Sequence, residues 1–327
     1  MDKRITMTAS AEYGKRGRQI MRPGRLRGKL KREGGKYLFL FAMLIIPLVS
    51  FCIFWVYVNF QSILNAFRLE IRGEIVWSFA NWKVFFDDLT SSNGYANMPM
   101  LLRNTMLYFG VNMVIILPIS FFLSYFLFKK IVCYKFFRVV FFLPNIISAA
   151  VLATLYKFML NPSLGGIVPT LISSITGSDP QNYLLSDDYA IIAVLAYCIW
   201  TGFSVNMILF NGAMGRVPKE VLEAAKIDGV SMFGEMFRII VPMIWPTLST
   251  IIIMNFANIF IASGPVLLLT NGACNTSSIS FWMFIITRNQ ESIYYPSTAG
   301  LIFTLVALPI ILVVKKIVDC VYKDVTY

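Results

Sequence analysis

The chain has 327 residues, 57% of them hydrophobic, and a mean hydropathy of +0.68. That is more apolar surface than one soluble core buries, so a bilayer must supply part of the solvent. The formal net charge of +12 would suit nucleic acid, yet the 29 Lys and Arg residues gather in the gaps between apolar runs, so no nucleic-acid partner is expected. There is no histidine, and the five cysteines (Cys52, Cys133, Cys198, Cys274 and Cys320) lie far apart. Disulfide frameworks, metal sites and histidine catalysis are therefore not expected.

In chain order, residues 1–37 hold twelve Lys and Arg against three acids, which reads as a basic, disordered cytoplasmic tail. A secretory signal would need a short apolar core, whereas Tyr37 to Phe60 is long enough to span, so 38–60 is taken as the first membrane helix. An extracytoplasmic loop, 61–103, follows. Residues 104–318 then form a core of five further spans, near 104–128, 139–157, 189–210, 240–263 and 299–317, and 319–327 is a second cytoplasmic tail. The apolar pieces 167–176 and 279–287 are about half of span length and read as interfacial or re-entrant segments. The predicted fold class is all-α, a polytopic membrane protein of about six spans.

Six spans with both termini in the cytoplasm sort the charge well. The basic residues fall in the N-terminal tail, in 129–138, in 211–238 and at the C-terminus, and only Arg68, Arg72, Lys83, Arg103, Lys157 and Arg288 lie outside. The basic run from Arg22 to Lys36 also suits anionic membrane lipid, although topology alone accounts for it.

No Asp, Glu, Lys or Arg lies well inside any of the six runs. Ion-coupled carriers and intramembrane catalysts keep such groups at membrane depth, so neither coupling nor catalysis is expected within the spans. The chain also lacks a GxxxxGK[ST] phosphate loop, so uphill transport would need a separate ATPase. The spans do hold neutral polar groups, and Tyr197, Trp200, Asn206, Asn255 and Asn258 are the candidates for a path taking a neutral polyhydroxylated solute. Asn112, Asn145, Ser148, Thr201 and Ser263 belong to the same set. Taken singly, such residues more often bond a neighbouring helix.

The loop 211–240 is the most specific feature. Pro218 opens a run of good helix formers that reaches Asp228, and Gly229 suits a left-handed stop, which predicts a helix roughly 16 Å long. Val221, Ala224, Ala225 and Asp228 share or border one face at helical spacing, and the two alanines leave room for a second body. Ser231 starts a second short helix towards Ile239, and Pro242 and Pro246 bend the start of the fifth span.

In full, Glu223-Ala224-Ala225, three residues, Gly229, nine residues, Ile239, one residue, Val241-Pro242 resembles the EAA signature of ABC importer permeases. Val241 stands where Leu is usual, and Asp228 before Gly229 fits the sugar-type form. Arg103-Asn104-Thr105, the run Phe136 to Pro162 and the run Trp200 to Gly229 resemble the maltose and glycerol-phosphate class. The basic tail and the segment before the last span match less well. The resemblance implies a type I ABC importer transmembrane domain paired with a second permease, two cytoplasmic ATPase subunits that carry ATP and Mg, and an extracytoplasmic solute-binding protein. Glu223, Ala224, Ala225, Asp228 and Gly229 would form the ATPase-coupling helix, and this chain would be no enzyme and bind no cofactor. The substrate expected is a neutral carbohydrate. Another solute (amino acid, peptide or phosphate compound) and a non-ABC pore are the alternatives.

Overall fold

The computed structural model describes residues 23–71, 73–90, 97–177, 179–289 and 292–321. One compact unit ends at Ser62 and a second begins at Ile63.

The first unit is the greater part of helix α1, residues 23–65, which passes through a π turn at Cys52–Tyr57. Its stretch Phe39–Asn65 is apolar enough to cross a membrane, and none of its described side chains is buried. The described part of the expected tail, 23–37, is helical. Pro23 stands in the first turn, where a missing N–H costs nothing, and the Lys, Arg and Leu residues that follow favour helix. Residues 1–22 lie outside the described segments.

The second unit opens with a small hairpin, β1 (Arg68–Ile71) paired antiparallel with β2 (Glu74–Trp77). This two-stranded element was not expected in an all-helical chain. Gly73, at φ +87°, makes its turn, and the Arg68 guanidinium lies 4.9 Å over the Trp77 ring. Helix α2 (Ala80–Thr90) follows, so the expected loop 61–103 is partly folded. Two donors, Trp82 Nε1 and Thr298 Oγ1, converge on the carbonyl of Ala66 and fix the hairpin's base against the last helix.

Helix α3 (Met98–Phe128) starts six residues before the expected second span, because Asn97 accepts from the N–H of Met100 and Pro99 sits in the first turn. It contains a π turn at Asn112–Ile116. Helices α4 (Tyr134–Ile146) and α5 (Ala149–Leu160) correct the expected third span, 139–157, which is not one rod: they meet at 102°. Pro144 lacks the donor that would continue the ladder, and Ile147 and Ser148 are extended. Helix α6 (Ile167–Thr176) is the first of the two short apolar pieces, and α7 (Ala190–Met214) is the fourth span.

After α7 come α8 (Lys219–Ile227), α9 (Met232–Met243, with a π turn at Met236–Ile240) and α10 (Trp245–Ala257). The expected fifth span, 240–263, is thereby corrected at both ends. It is broken by a 76° bend at Ile244, just before Pro246, and it stops at Ala257, where Asn258 donates back to the Met254 carbonyl. A short turn, α11 (Val266–Leu269), and α12 (Ile279–Arg288), the second short apolar piece, precede α13 (Tyr294–Val321). Helix α13 runs three residues into the expected C-terminal tail, whose remainder lies outside the described residues.

Three apolar cores hold this second unit. Phe85, Leu101, Tyr295 and Phe303 join α2, α3 and α13 at one end. Tyr108, Leu152, Val194 and Val266 join α3, α5, α7 and α11 in the middle. Tyr125, Phe210, Met236 and Ile240 join α3, α7 and α9 at the other end. The remaining span surface is apolar and outward, including Val114, Ile192, Leu305 and Leu312, as lipid requires. The described helices thus give four clear spans, or six if each bent pair counts as one, and the chain is a multi-pass membrane protein.

Candidate functional site

A cavity of about 610 Å³ lies among α3, α4, α5, α7, α10 and the α10–α11 turn. Tyr197, Asn206 and Asn255, expected from the sequence, line it, as do Asn112 and Thr201. No lining residue is charged.

The π turn in α3 accounts for part of this lining. A π turn re-aims the side chains around it relative to the rest of the helix, and such turns occur often at functional sites. Here Asn112 and Ile116, the first and last residues of the turn, both face the cavity. Asn112 Nδ2 donates to Asn255 Oδ1 at 2.8 Å, and Asn255 Nδ2 donates to the Ile251 carbonyl. Asn255 thus accepts from Asn112 and donates to its own helix while both amides line the space.

Not every expected path residue reaches the cavity. Trp200 is absent from the lining and exposed, stacked 6.2 Å from Tyr156 and edge-on at 5.9 Å to Tyr197 of the wall. Asn258 is exposed and spends its amide on the Met254 carbonyl, because α10 has ended one residue before it. Asn145, Ser148 and Ser263 are likewise outside the lining. Sequence reasoning missed Tyr108, Cys198, Gly202, Gly264 and Pro265, all of which line it. The left-handed φ of +53° at Gly264 turns the chain along the cavity.

One end of α3 grips the loop between α11 and α12. Asn104 Nδ2 donates to the carbonyls of Asn275 (2.6 Å) and Ser277 (2.8 Å), Thr105 Oγ1 accepts from the N–H of Ile279, and Tyr108 donates to the Thr276 carbonyl. That loop holds Asn271, Cys274 and Asn275 at positive φ, a conformation unfavourable for side chains with a Cβ. The four bonds from α3 hold it there, and Tyr108 belongs both to this grip and to the cavity wall.

The segment resembling the EAA signature lies at the other end. Helix α8 runs Lys219–Ile227, about 14 Å by helical rise, and Gly229 ends it at φ +69° as expected. Ser231 Oγ accepts from the N–H of Gly234 and starts α9, also as expected. The grouping of Val221, Ala224, Ala225 and Asp228 on one face needs correction. Ala225 is buried with Leu222 beside the span core, while Val221, Glu223, Ala224 and Asp228 are exposed. The hundred-degree step between neighbours turns Ala225 inward as Ala224 turns out. Around the exposed face stand two large apolar side chains, Ile227 at 86% exposure and Phe233 at 63%.

A family model described as binding-protein-dependent transport system inner membrane component matches residues 116–327. Relatives include the probable ABC transporter permease protein YurN of Bacillus subtilis (strain 168), 27% identical over 185 residues, which cover 55% of this chain and 63% of that protein. The sn-glycerol-3-phosphate transport system permease protein UgpA of Shigella dysenteriae is 30% identical over 133 residues, 41% of this chain and 44% of that one. The arabinooligosaccharides transport system permease protein AraP of Bacillus subtilis is 24% identical over 199 residues, 61% of each. The match thus spans between 44% and 63% of the length of these relatives.

Among solved structures, a chain of a bacterial ABC transporter involved in the import of the acidic polysaccharide alginate superposes with a TM-score of 0.74 at 22% identity. The superposition covers 91% of this chain and all of that one. A second structure, of the alginate transporter in complex with an alginate pentasaccharide-bound periplasmic protein, gives 0.76 over 92% of this chain. These likenesses show the fold, that of a type I ABC importer transmembrane domain. With the broken spans, the α8–α9 segment and the match from residue 116 onward, the chain belongs to the family of binding-protein-dependent transport system inner membrane components.

Proposed function

We propose that this chain is one transmembrane subunit of an ATP-binding-cassette importer for a neutral carbohydrate, a sugar or an oligosaccharide, across the cytoplasmic membrane. It works beside a second permease, receives solute from an extracytoplasmic binding protein and is driven by two cytoplasmic ATPase subunits that hold ATP and Mg. Both termini and the α8 end face the cytoplasm, as the clustering of Lys and Arg at that end supports. The chain itself performs no chemistry. Its work is the exchange between two arrangements of its helices, each exposing the cavity to one side.

The observation that carries this reading is the pairing of an uncharged, amide- and tyrosine-lined cavity with a projecting apolar knob at one end of the same helices. Amides, hydroxyls and aromatic rings recognise sugar hydroxyls and ring faces without charge. The relatives' names include an arabinooligosaccharide permease and a glycerol-phosphate permease. The absence of a cation among the described lining residues favours the first kind of cargo, since a buried phosphate needs a partner charge.

On the knob, Glu223, Ala224, Asp228 and Gly229 with Ile227 form the docking face for the ATPase, and Ala225 seats the helix on the spans. An apolar side chain as exposed as Ile227, beyond the last turn of a span and among charged neighbours, fits a protein partner better than water or lipid.

Purification of the full complex from membranes in mild detergent tests the reading. An ATP-hydrolysing subunit should co-purify, and the cognate binding protein should retain a neutral saccharide. A chain that purifies without such a subunit, or that passes solute without ATP, would contradict it.

A further inference from the structure

The end of α3 nearest α8 carries an ion pair that the cavity does not use and that involves none of the positions the EAA signature specifies. Lys129, the first residue beyond α3, places its ammonium nitrogen 2.6 Å from each carboxylate oxygen of Glu235. Glu235 lies in the first turn of α9 and is only 7% exposed. One turn back, the fully buried Tyr125 donates to the Met232 carbonyl at 3.2 Å, and its ring centroid lies 5.9 Å from the same ammonium. Tyr125 and Lys129, four residues apart, act from one face and grip α9 by both its backbone and its acid.

Stability alone is a poor reason for this arrangement. A buried carboxylate pays desolvation that its partner offsets only in good geometry, and apolar replacements are often as stable. What such a pair supplies is a fixed relative position. Helix α8 needs one, because Ala225 is its one buried residue and it is joined to α9 through the left-handed turn at Gly229. Helix α9 in turn meets α3 through the clamp and through Met236 and Ile240 in the shared core. Thirteen residues before Tyr125 on α3, Asn112 meets Asn255 at the cavity wall.

We infer that Tyr125, Lys129 and Glu235 are positioning residues for energy coupling. They bind the first turn of α9 to α3, so that a displacement of α8 arrives at Asn112 and the cavity as movement of α3. The inference rests on the reading of α8 as the ATPase-docking helix, and it adds a mechanical link through residues that the signature does not specify.

The test compares Lys129→Met, Glu235→Gln and Tyr125→Phe with the wild type in the complete complex, reconstituted in proteoliposomes. The readout is solute taken up per ATP hydrolysed. The first two variants should retain the ATPase subunits yet lose at least fivefold in uptake per ATP, while Lys129→Arg and the exchanged pair Lys129→Glu with Glu235→Lys stay within about twofold. Unchanged uptake per ATP in Lys129→Met and Glu235→Gln would overturn the inference. Should the charge variants fail to accumulate, Tyr125→Phe decides by hydrogen exchange in the full chain in nanodiscs. Amides 232–240 should exchange at least threefold faster than in the wild type, and equal rates would overturn the clamp. A wild-type chain that retains no ATPase would sink the docking reading alone, since the exchange measurement needs no partner.

Discussion

Asn112 and Asn255 meet at 2.8 Å across the wall of the cavity, one amide from the π turn of α3 and the other from the last turn of α10. A hydrogen bond between two helices inside a bilayer contributes on the order of 0.6 kcal/mol on average. That is small enough for a solute hydroxyl to replace it if the cavity is the transport path proposed above.

Replacing either amide with Ala is therefore expected to change transport more than folding. Asn112→Ala and Asn255→Ala should each lower thermal stability by less than about 1.5 kcal/mol. Each should also raise the KM for uptake by about threefold to tenfold, in line with the loss of one or two directional contacts worth about 0.7–1.4 kcal/mol. The double variant should cost little more than either single one, because both remove the same bond. Uptake kinetics in proteoliposomes check this, and strictly additive losses would separate the two residues.

Cys198 lines the cavity, whereas Cys52, Cys133 and Cys320 are exposed elsewhere. In a variant that keeps Cys198 and has Ser at the other four cysteines, a small maleimide should label this thiol. Saturating substrate, presented on its binding protein during ATP turnover, should slow the labelling at least threefold. Labelling indifferent to substrate would remove the cavity from the transport path.

Gly229 and Glu223 separate strain from recognition. At Gly229 the backbone is left-handed at φ +69°, and nothing lies within 4 Å of an added Cβ, so the penalty of a side chain is conformational alone. Gly229→Ala should cost about 1 kcal/mol, and Gly229→Val more, whereas Gly229→Asn should be milder. Glu223 is exposed on α8. Glu223→Ala should leave thermal stability within about 0.5 kcal/mol of the wild type, yet cut stimulation of the ATPase at least tenfold. Thermal unfolding and ATP hydrolysis of the same preparations check both.

Much of this molecule was legible in the sequence, for reasons that vary along the chain. The α8–α9 segment could be read almost residue by residue, because Pro218, Gly229 and Ser231 act locally: each sets the backbone at its own position. Span positions were legible within several residues, since hydropathy measures solvent preference, not where a helix stops. The bends were harder. Pro144 and Pro246 were visible, but a proline inside an apolar run permits a kink without setting its size, and packing made the angles 102° and 76°.

The cavity was least legible. Asn258 and Asn255 are alike in sequence, and the end of α10 at Ala257 alone sends one outward while the other meets Asn112. The inward turn of Asn112 depends on a π turn with no composition of its own. The ion pair was missed for a related reason: Lys129 and Glu235 read as ordinary loop charges until the fold brings the end of α3 against the first turn of α9.

The grip of α3 on the 270–278 loop gives one more expectation. Asn104→Ala removes two hydrogen bonds at a fully buried site and frees the carbonyls of Asn275 and Ser277, at about 1–3 kcal/mol. With Asn271, Cys274 and Asn275 already at positive φ, the loop should then relax locally. Limited proteolysis of the chain in detergent should cut within 270–278 at least fivefold faster than in the wild type, and an unchanged cutting rate would show that Thr105 and Tyr108 hold the loop alone.

The most direct measurement concerns Ile227. A photo-reactive residue introduced at this position in the intact complex should, on illumination, join the chain to an ATP-hydrolysing subunit, with a yield that changes between nucleotide-free and ATP-bound states. No adduct with any such subunit, or modification of position 227 by a membrane-impermeant reagent added outside intact cells, would contradict the account.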